Sequence, residues 1–236
     1  MSRPILDAKN AATAQKWLRY HHIVPSSEVW DEATQRFQSK GPDADFDHHQ
    51  RLGPHARLVS DFCGYNTYTG GDGRTNDDVF WVSDLTLSCS VNITDVQDKA
   101  HIAFELCDGE VKFRVRVNLS TGKAKLLKVI HLGENEEEVL QAEAQCELRG
   151  VDDFEVRFAN VDDRRCFWVD DELGDFGPPA ERETIRSILG PQESDLTPVG
   201  IAVQGASVTV GDLLLERDIY YRASKDPDPD ARSSDE

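Results

Sequence analysis

Glu216 and Asp218, in the run Glu216-Arg-Asp-Ile-Tyr-Tyr221, are the acids whose spacing comes nearest to catalysis. Retaining glycoside hydrolysis needs a nucleophile and an acid about 5 Å apart, which on one strand face reads as Glu-x-Asp-x-x-Glu. Tyr221 stands where the second Glu is required. Glu105, Asp108 and Glu110 fall at a strand end and a turn, so they do not supply that geometry either. The pairs Asp77-Asp78, Asp152-Asp153, Asp162-Asp163 and Asp170-Asp171 all lie at expected corners, where Asp side chains serve the local hydrogen bonding of tight turns.

Other chemistries have fewer residues to draw on. Asp45, Asp47, His48 and His49 could hold a divalent ion, but adjacent histidines in a loop do not readily face one metal, so a solvated loop is the preferred account. No cofactor motif occurs. A structural calcium at the Asp-rich turns stays open, since hard oxygen ligands are plentiful although no Asp-x-Asp-x-Asp-Gly loop is present. Ser224 and Lys225 are neighbours in an acidic tail and do not make a nucleophile–base pair. The cysteines Cys63, Cys89, Cys107, Cys146 and Cys166 are odd in number and show no Cys-x-x-Cys spacing. Most sit in apolar runs and are expected to pack as thiols.

A ligand that needs an aromatic platform, such as a sugar ring, would find Tyr65, Tyr68, Trp81, Trp168 and Tyr220. Core or cross-strand packing is the competing account of each, because aromatic residues on strands most often serve that purpose.

These residues have to be positioned by strands. Phe154-Glu-Val-Arg-Phe158 and Cys166-Phe-Trp-Val169 alternate apolar with polar residues and are joined through Asn160-Val-Asp-Asp163, which reads as a hairpin with one wet face. Phe154, Val156 and Phe158 favour Phe167 and Val169 as the inward pair, leaving Trp168 outside. Period-two patterning predicts further strands over 57–65, 80–91, 101–107, 111–118, 123–131 and 141–148. Pro198–Val203 and 207–215 close the set around a Gly205-Ala206 turn. Lys112, Lys123, Lys125 and Lys128 fall on positions that read as wet. Residues 10–38 read as two short helices, and 177–196 as an excursion with a helical turn near 185–189. The implied division is an N-terminal extension with an acidic loop at 1–56, a sandwich at 57–222, and a disordered acidic tail at 223–236. Roughly ten or eleven short strands with little helix between them predict an all-β, two-sheet antiparallel sandwich with short N-terminal helices.

Composition bounds the partners. With 39% hydrophobic and 30% charged residues in 236, the chain can bury a core. A net charge of −18 argues against nucleic acid or an anionic membrane surface as partner. No apolar run reaches the length of a membrane span, so direct membrane contact is not expected.

Four stretches resemble a known family. They are Lys16-Trp-Leu-Arg-Tyr-His-His-Ile-Val-Pro25, Val59-Ser-Asp-Phe-Cys-Gly-Tyr-Asn66, Val156-Arg-Phe-Ala-Asn-Val-Asp-Asp-Arg164 with Phe167-Trp-Val-Asp170, and Pro198-Val-Gly-Ile-Ala-Val-Gln-Gly-Ala206 running on to Tyr221. In that order they resemble the concanavalin-like jelly-roll insert of signal peptidase I-like proteins of planctomycete bacteria. The resemblance implies a jelly roll in a membrane-anchored Ser/Lys endopeptidase, on the periplasmic side of the inner membrane, with the protease domain as partner in cis. It carries no catalytic residue here, since the family's Ser-x-Met-x-Pro box is missing and the only methionine is Met1. The expected role is therefore a non-catalytic recognition or spacer domain, cut free of its enzyme or a gene fragment. The alternatives are a free-standing lectin-like domain with a polysaccharide or protein ligand and, below it, a glycoside hydrolase. Converging carboxylates in a groove would mark the hydrolase, an aromatic-lined groove the lectin, and neither the spacer.

Overall fold

The structure is a computed structural model and describes residues 5–7, 15–22, 57–61, 80–132, 135–162, 164–177 and 191–218. Two long strands organise it. β5 (Leu85–Asp108) and β12 (Val199–Arg217) run antiparallel from the pair Leu85↔Arg217 to the pair Leu106↔Val199. Each strand serves two sheets. The first part of β5 takes β9 (Asp153–Val161) as its other neighbour, and the last part takes β6 (Val111–Asn118). One sheet therefore runs from β11 (Glu172–Leu173) through β10 (Arg164–Val169) and β9 to β5 and β12. The second runs from β8 (Asn135–Gln145) through β7 (Lys123–Leu132) and β6 to β5, β12 and β2 (Lys16–Tyr20). β1 (Ile5–Asp7) pairs with β12 at residues 207–209. β3 (Ser60–Asp61) and β4 (Phe80–Trp81) form a separate ribbon.

The sheets are folded onto each other where β5 and β12 bend together. Lys99 and Gly205 have φ of 61° and 69°, and the pairing slips between Gln204 and Ala206 and again between Ser207 and Val208. Such bulges turn a strand without ending its ladder. Gly205 is required twice over, by its left-handed φ and because a Cβ there would stand 3.2 Å from Ala100 Cα. The residues expected to form a turn at Gly205-Ala206 thus lie inside one continuous strand, and the segments expected over 80–91 and 101–107 likewise share β5 from Leu85 onward, with Phe80–Trp81 in β4. Local signals marked the bend, but the neighbouring ladder carries the chain through it.

Between the sheets lies an all-β core. Leu85, Leu87, Cys89, Val91 and Ile93 alternate inward from the first part of β5, and Ile102, Phe104 and Leu106 from the last. Phe154, Val156 and Phe158 point inward from β9, Phe167 and Val169 from β10, and Phe113, Val115 and Val117 from β6. The Phe104 and Phe167 rings meet across the sandwich with centroids 5.7 Å apart. Phe167 also meets Phe158 edge-on at 6.3 Å. At one end the Arg165 guanidinium lies 3.9 Å from the Phe113 ring centroid, and the buried Asn160 donates from Nδ2 to Asp108 Oδ2 at 3.3 Å. The molecule is the two-sheet antiparallel sandwich that period-two patterning predicts, and the jelly roll that the resemblance implies.

Several expectations need correction. Residues 16–20 are strand, not helix, because the edge of β12 at 199–203 offers them a complete antiparallel partner. Alternation then places Leu18 against the core and Trp17 and Arg19 on the outer face. A short helical propensity is a weak prior that such pairing overrides. With β1 and β2 both in the sheet, the sandwich begins before residue 57. Lys112 and Lys128 are buried rather than wet, since alternation alone does not reveal which outer-face positions neighbouring side chains cover. The helical turn expected near 185–189 lies outside the described residues, as do 10–14, 25–38 and the tail; a 3-10 turn is present at Glu193–Leu196. Among the described residues no helix is long and apolar enough to cross a membrane.

Candidate functional site

The outer face of the first sheet carries a groove. The register aligns Trp168, Arg157, Ser88 and Leu214 in one row across β10, β9, β5 and β12. The adjacent row is Cys166, Ala159, Thr86 and Glu216. Three of those four are small, so the second row is a trough beside the first. The resulting groove encloses about 560 Å³, with Trp168 and Arg157 on one side and Arg164, Asp162 and Glu216 among its polar walls. Trp168 is half-buried, and the Arg157 guanidinium lies 5.9 Å from its ring centroid, which fixes the indole against the sheet. Beneath it Phe167 is fully buried, so the same hairpin anchors the core and presents the indole. The turn from β10 into β11 is made by Asp170 and Asp171, both with positive φ, as a two-residue turn with the strand twist requires. Asp170 Oδ1 accepts a hydrogen bond from the Glu155 amide at 2.8 Å, which ties that turn to β9.

Three carboxylates converge at the end of this groove. Asp84, Asp162 and Asp218 each place one oxygen within 4.8 Å of the others. The set is hard, as calcium prefers, but it supplies only part of the six to eight or so oxygens that ion takes. Asp162 and Glu216 are exposed and lie outside the apolar enclosure in which a glycosidase acid works.

The outer face of the second sheet is a charged lattice. In register, Arg19, Gly200, Glu105 and Arg114 follow one another across β2, β12, β5 and β6. Glu105 has no exposed surface, and it accepts hydrogen bonds from Arg19 Nη1 and from Arg114 Nε (2.8 Å) and Nη2. Arg114 also binds Glu138 and Glu136, Arg116 binds Glu138, and Lys112 binds Glu136 at 2.9 Å. Burial opposes the charge on Arg114, yet the Glu105 carboxylate beside it, with Glu138 and Glu136, holds its pKa above the ordinary guanidinium value. Burial likewise works against charge on Glu136 and Glu138, but hydrogen bonds from Lys112 and Arg116 respectively, with Arg114 nearby, hold both carboxyls below the usual range. The Trp17 indole receives Arg19 at 3.8 Å and Arg114 at 4.9 Å from its ring centroid. A second groove of about 870 Å³ borders this lattice, between Arg19, His21 and Lys112 and the 3-10 turn at Glu193–Leu196. Its cations face Glu110 and Glu193, and the buried Asp195 carboxylate is already satisfied by the Gly109 and Gln192 amides.

Of the five aromatic candidates, Tyr65, Tyr68 and Tyr220 lie outside the described residues. Trp81 sits on β4, pairs with Ser60 and lines neither groove. Trp168 alone takes a place in a groove. Arg157 and Thr86 went unnoticed in the sequence because each is only the polar member of an alternating pair, and their row depends on cross-strand register. The four described cysteines are free thiols. Cys89 and Cys107 are pushed up to about 12, first by burial and then by Glu155 and Glu105 respectively.

No protein-family model and no curated protein matches the chain. Solved structures do. The carbohydrate binding module CBM66 from Bacillus subtilis aligns at 16% identity over 57% of this chain and 75% of that one, with a TM-score of 0.39. Sheep galectin-11, in complex with glycerol, aligns at 10% identity over 57% and 90%, with a TM-score of 0.35. The Caenorhabditis elegans galectin LEC-6 aligns at 12% over 57% and 84%, also at 0.35. The likeness goes no further than that of one antiparallel sandwich to another.

Proposed function

We propose that this domain binds carbohydrate, with the groove beside Trp168 as its glycan site. The observation that carries the reading is the Trp168 indole in a groove that also presents several polar and charged side chains. A sugar presents a C–H face and a rim of hydroxyls at once. An indole wall satisfies the first, while Arg157, Arg164, Asp162, Glu216 and Thr86 supply donors and acceptors for the second. A bare spacer, as the resemblance to the signal peptidase insert suggests, has no use for such a groove. The test is a glycan array and affinity electrophoresis with the wild-type chain and Trp168→Ala. Retention by one or more polysaccharides that Trp168→Ala loses supports the reading; no retention by any glycan removes it and leaves the spacer.

A further inference from the structure

We infer that the groove takes an internal stretch of a neutral, linear polysaccharide lying across the strands, about three glycosyl units long, rather than a single terminal sugar. The inference rests on the carbohydrate-binding reading and adds the ligand's class, length and direction. Its basis is the register. Cys166, Ala159, Thr86 and Glu216 stand opposite one another on β10, β9, β5 and β12, so the trough crosses the sheet at right angles to the strands. Adjacent strands lie about 4.8 Å apart, so three strand-to-strand steps make a trough of about 14 Å. A glycosyl unit in an extended chain advances by about one such step, which seats about three units.

The walls run with the trough rather than closing it. Trp168 and Arg157 form one bank, each on the same strand as a floor residue, and the register continues that row through Ser88 and Leu214 on β5 and β12. A terminal-sugar site would be closed at one end of the floor, whereas Cys166 leaves the β10 end open and Glu216, at the β12 end, is exposed to solvent. Charge selects the neutral class. Arg157 and Arg164 face Asp162 and Glu216 in the groove, Asp84 and Asp218 converge beside Asp162, and the chain as a whole carries −18. A polyuronate would meet repulsion with no compensating local surplus of cations.

The test is calorimetric titration of the full chain with cello-, laminari-, xylo- and manno-oligosaccharides of one to six units, and with alginate oligomers as the charged comparison. For at least one neutral series, affinity should rise roughly tenfold or more from one unit to three and change less than about threefold from three to six. Thr86→Phe, which blocks the trough floor while leaving the Trp168 bank in place, should abolish the gain with length; near-UV circular dichroism checks its fold. The Cys166 thiol on the floor gives an independent readout, since a bound trimer should slow its alkylation and the monosaccharide should not. Monosaccharides that bind as well as trimers, a gain that continues evenly to six units, preferred alginate oligomers, or a Thr86→Phe chain that binds unchanged would each overturn the inference while glycan binding itself stands. Glycan-array retention with no response to any oligosaccharide series would overturn it too. An empty array instead removes the reading beneath it.

Discussion

Arg19 reaches Glu105 by passing over Gly200, the position that separates them in the register of β2, β12 and β5. A Cβ at 200 would stand 2.9 Å from Trp17 Cζ3 and would meet the Arg19 guanidinium itself. The glycine leaves a gap in the sheet surface, and Trp17 and Arg19 fill it from the neighbouring strand. A buried carboxylate thereby gains its second arginine, and an edge strand is pinned to the sandwich.

Gly200→Ala should therefore destabilise the protein by about 1–3 kcal/mol, the usual result of forcing atoms into a filled space. Urea denaturation gives the value. The loss should shrink markedly in an Arg19→Ala background, since one of the two obstructions is then gone. A Gly200→Ala chain as stable as wild type would mean that Arg19 does not cross there.

Glu105→Ala should be costlier. It strands the Arg114 charge, only 4% exposed, without its main partner, and breaking a buried pair in this way costs about 3–5 kcal/mol. Replacing both partners by apolar residues, Glu105→Leu with Arg114→Met, should recover a large share, because the charge that remains without Glu105, on Arg19, is partly exposed to water. If the double variant is no better than Glu105→Ala, the burial of this pair matters less than its geometry suggests.

Phe167 and Trp168 are neighbours with opposite duties. Phe167→Ala removes a fully buried ring that joins the two sheets and should cost about 3–5 kcal/mol. Trp168→Ala, on the groove side, should cost far less, about 1 kcal/mol. Thermal melts of the two variants, compared side by side, decide it; equal losses would place Trp168 in the core.

Acid should loosen the β6–β8 edge. The carboxyls of Glu136 and Glu138 are held below their ordinary value of 4.5 in the folded chain. Their stabilisation is accordingly present above that unfolded value and is lost as pH falls through the lowered folded one. Both side chains are partly exposed, so salt and water mute the effect. Glu136→Gln/Glu138→Gln should flatten the fall in stability below about pH 4.5. A steeper fall than that of wild type would reverse the assigned sign.

The chain should release no reducing sugar from β-glucan or other polysaccharides. Asp162 and Glu216 line a solvated groove and lack the enclosed acid that glycoside hydrolysis uses. A reducing-end assay with Glu216→Gln as control measures this. Turnover that the variant abolishes would make the domain an enzyme.

The sandwich was legible because it is written in local alternation. Phe154, Val156 and Phe158 on one strand and Phe167 and Val169 on the next announce their inward face wherever the strands end up, since side chains alternate with period two in any sheet. Trp168 followed as the outward residue between two inward ones. The Asp corners were readable for a related reason, as turn chemistry acts over two or three residues. What the sequence could not supply was register. Arg157 meets Trp168, and Arg19 meets Glu105 over Gly200, only because strands far apart in the chain were paired at one offset out of several. Residues 16–20 became strand because β12 had a free edge, a fact held in another part of the chain. The long bends of β5 and β12 were likewise hidden, since a left-handed glycine reads as a turn until a neighbouring ladder carries the strand past it. Alternation is a property of one strand; grooves, buried charges and edges are properties of several, and only the assembled sheets decide them.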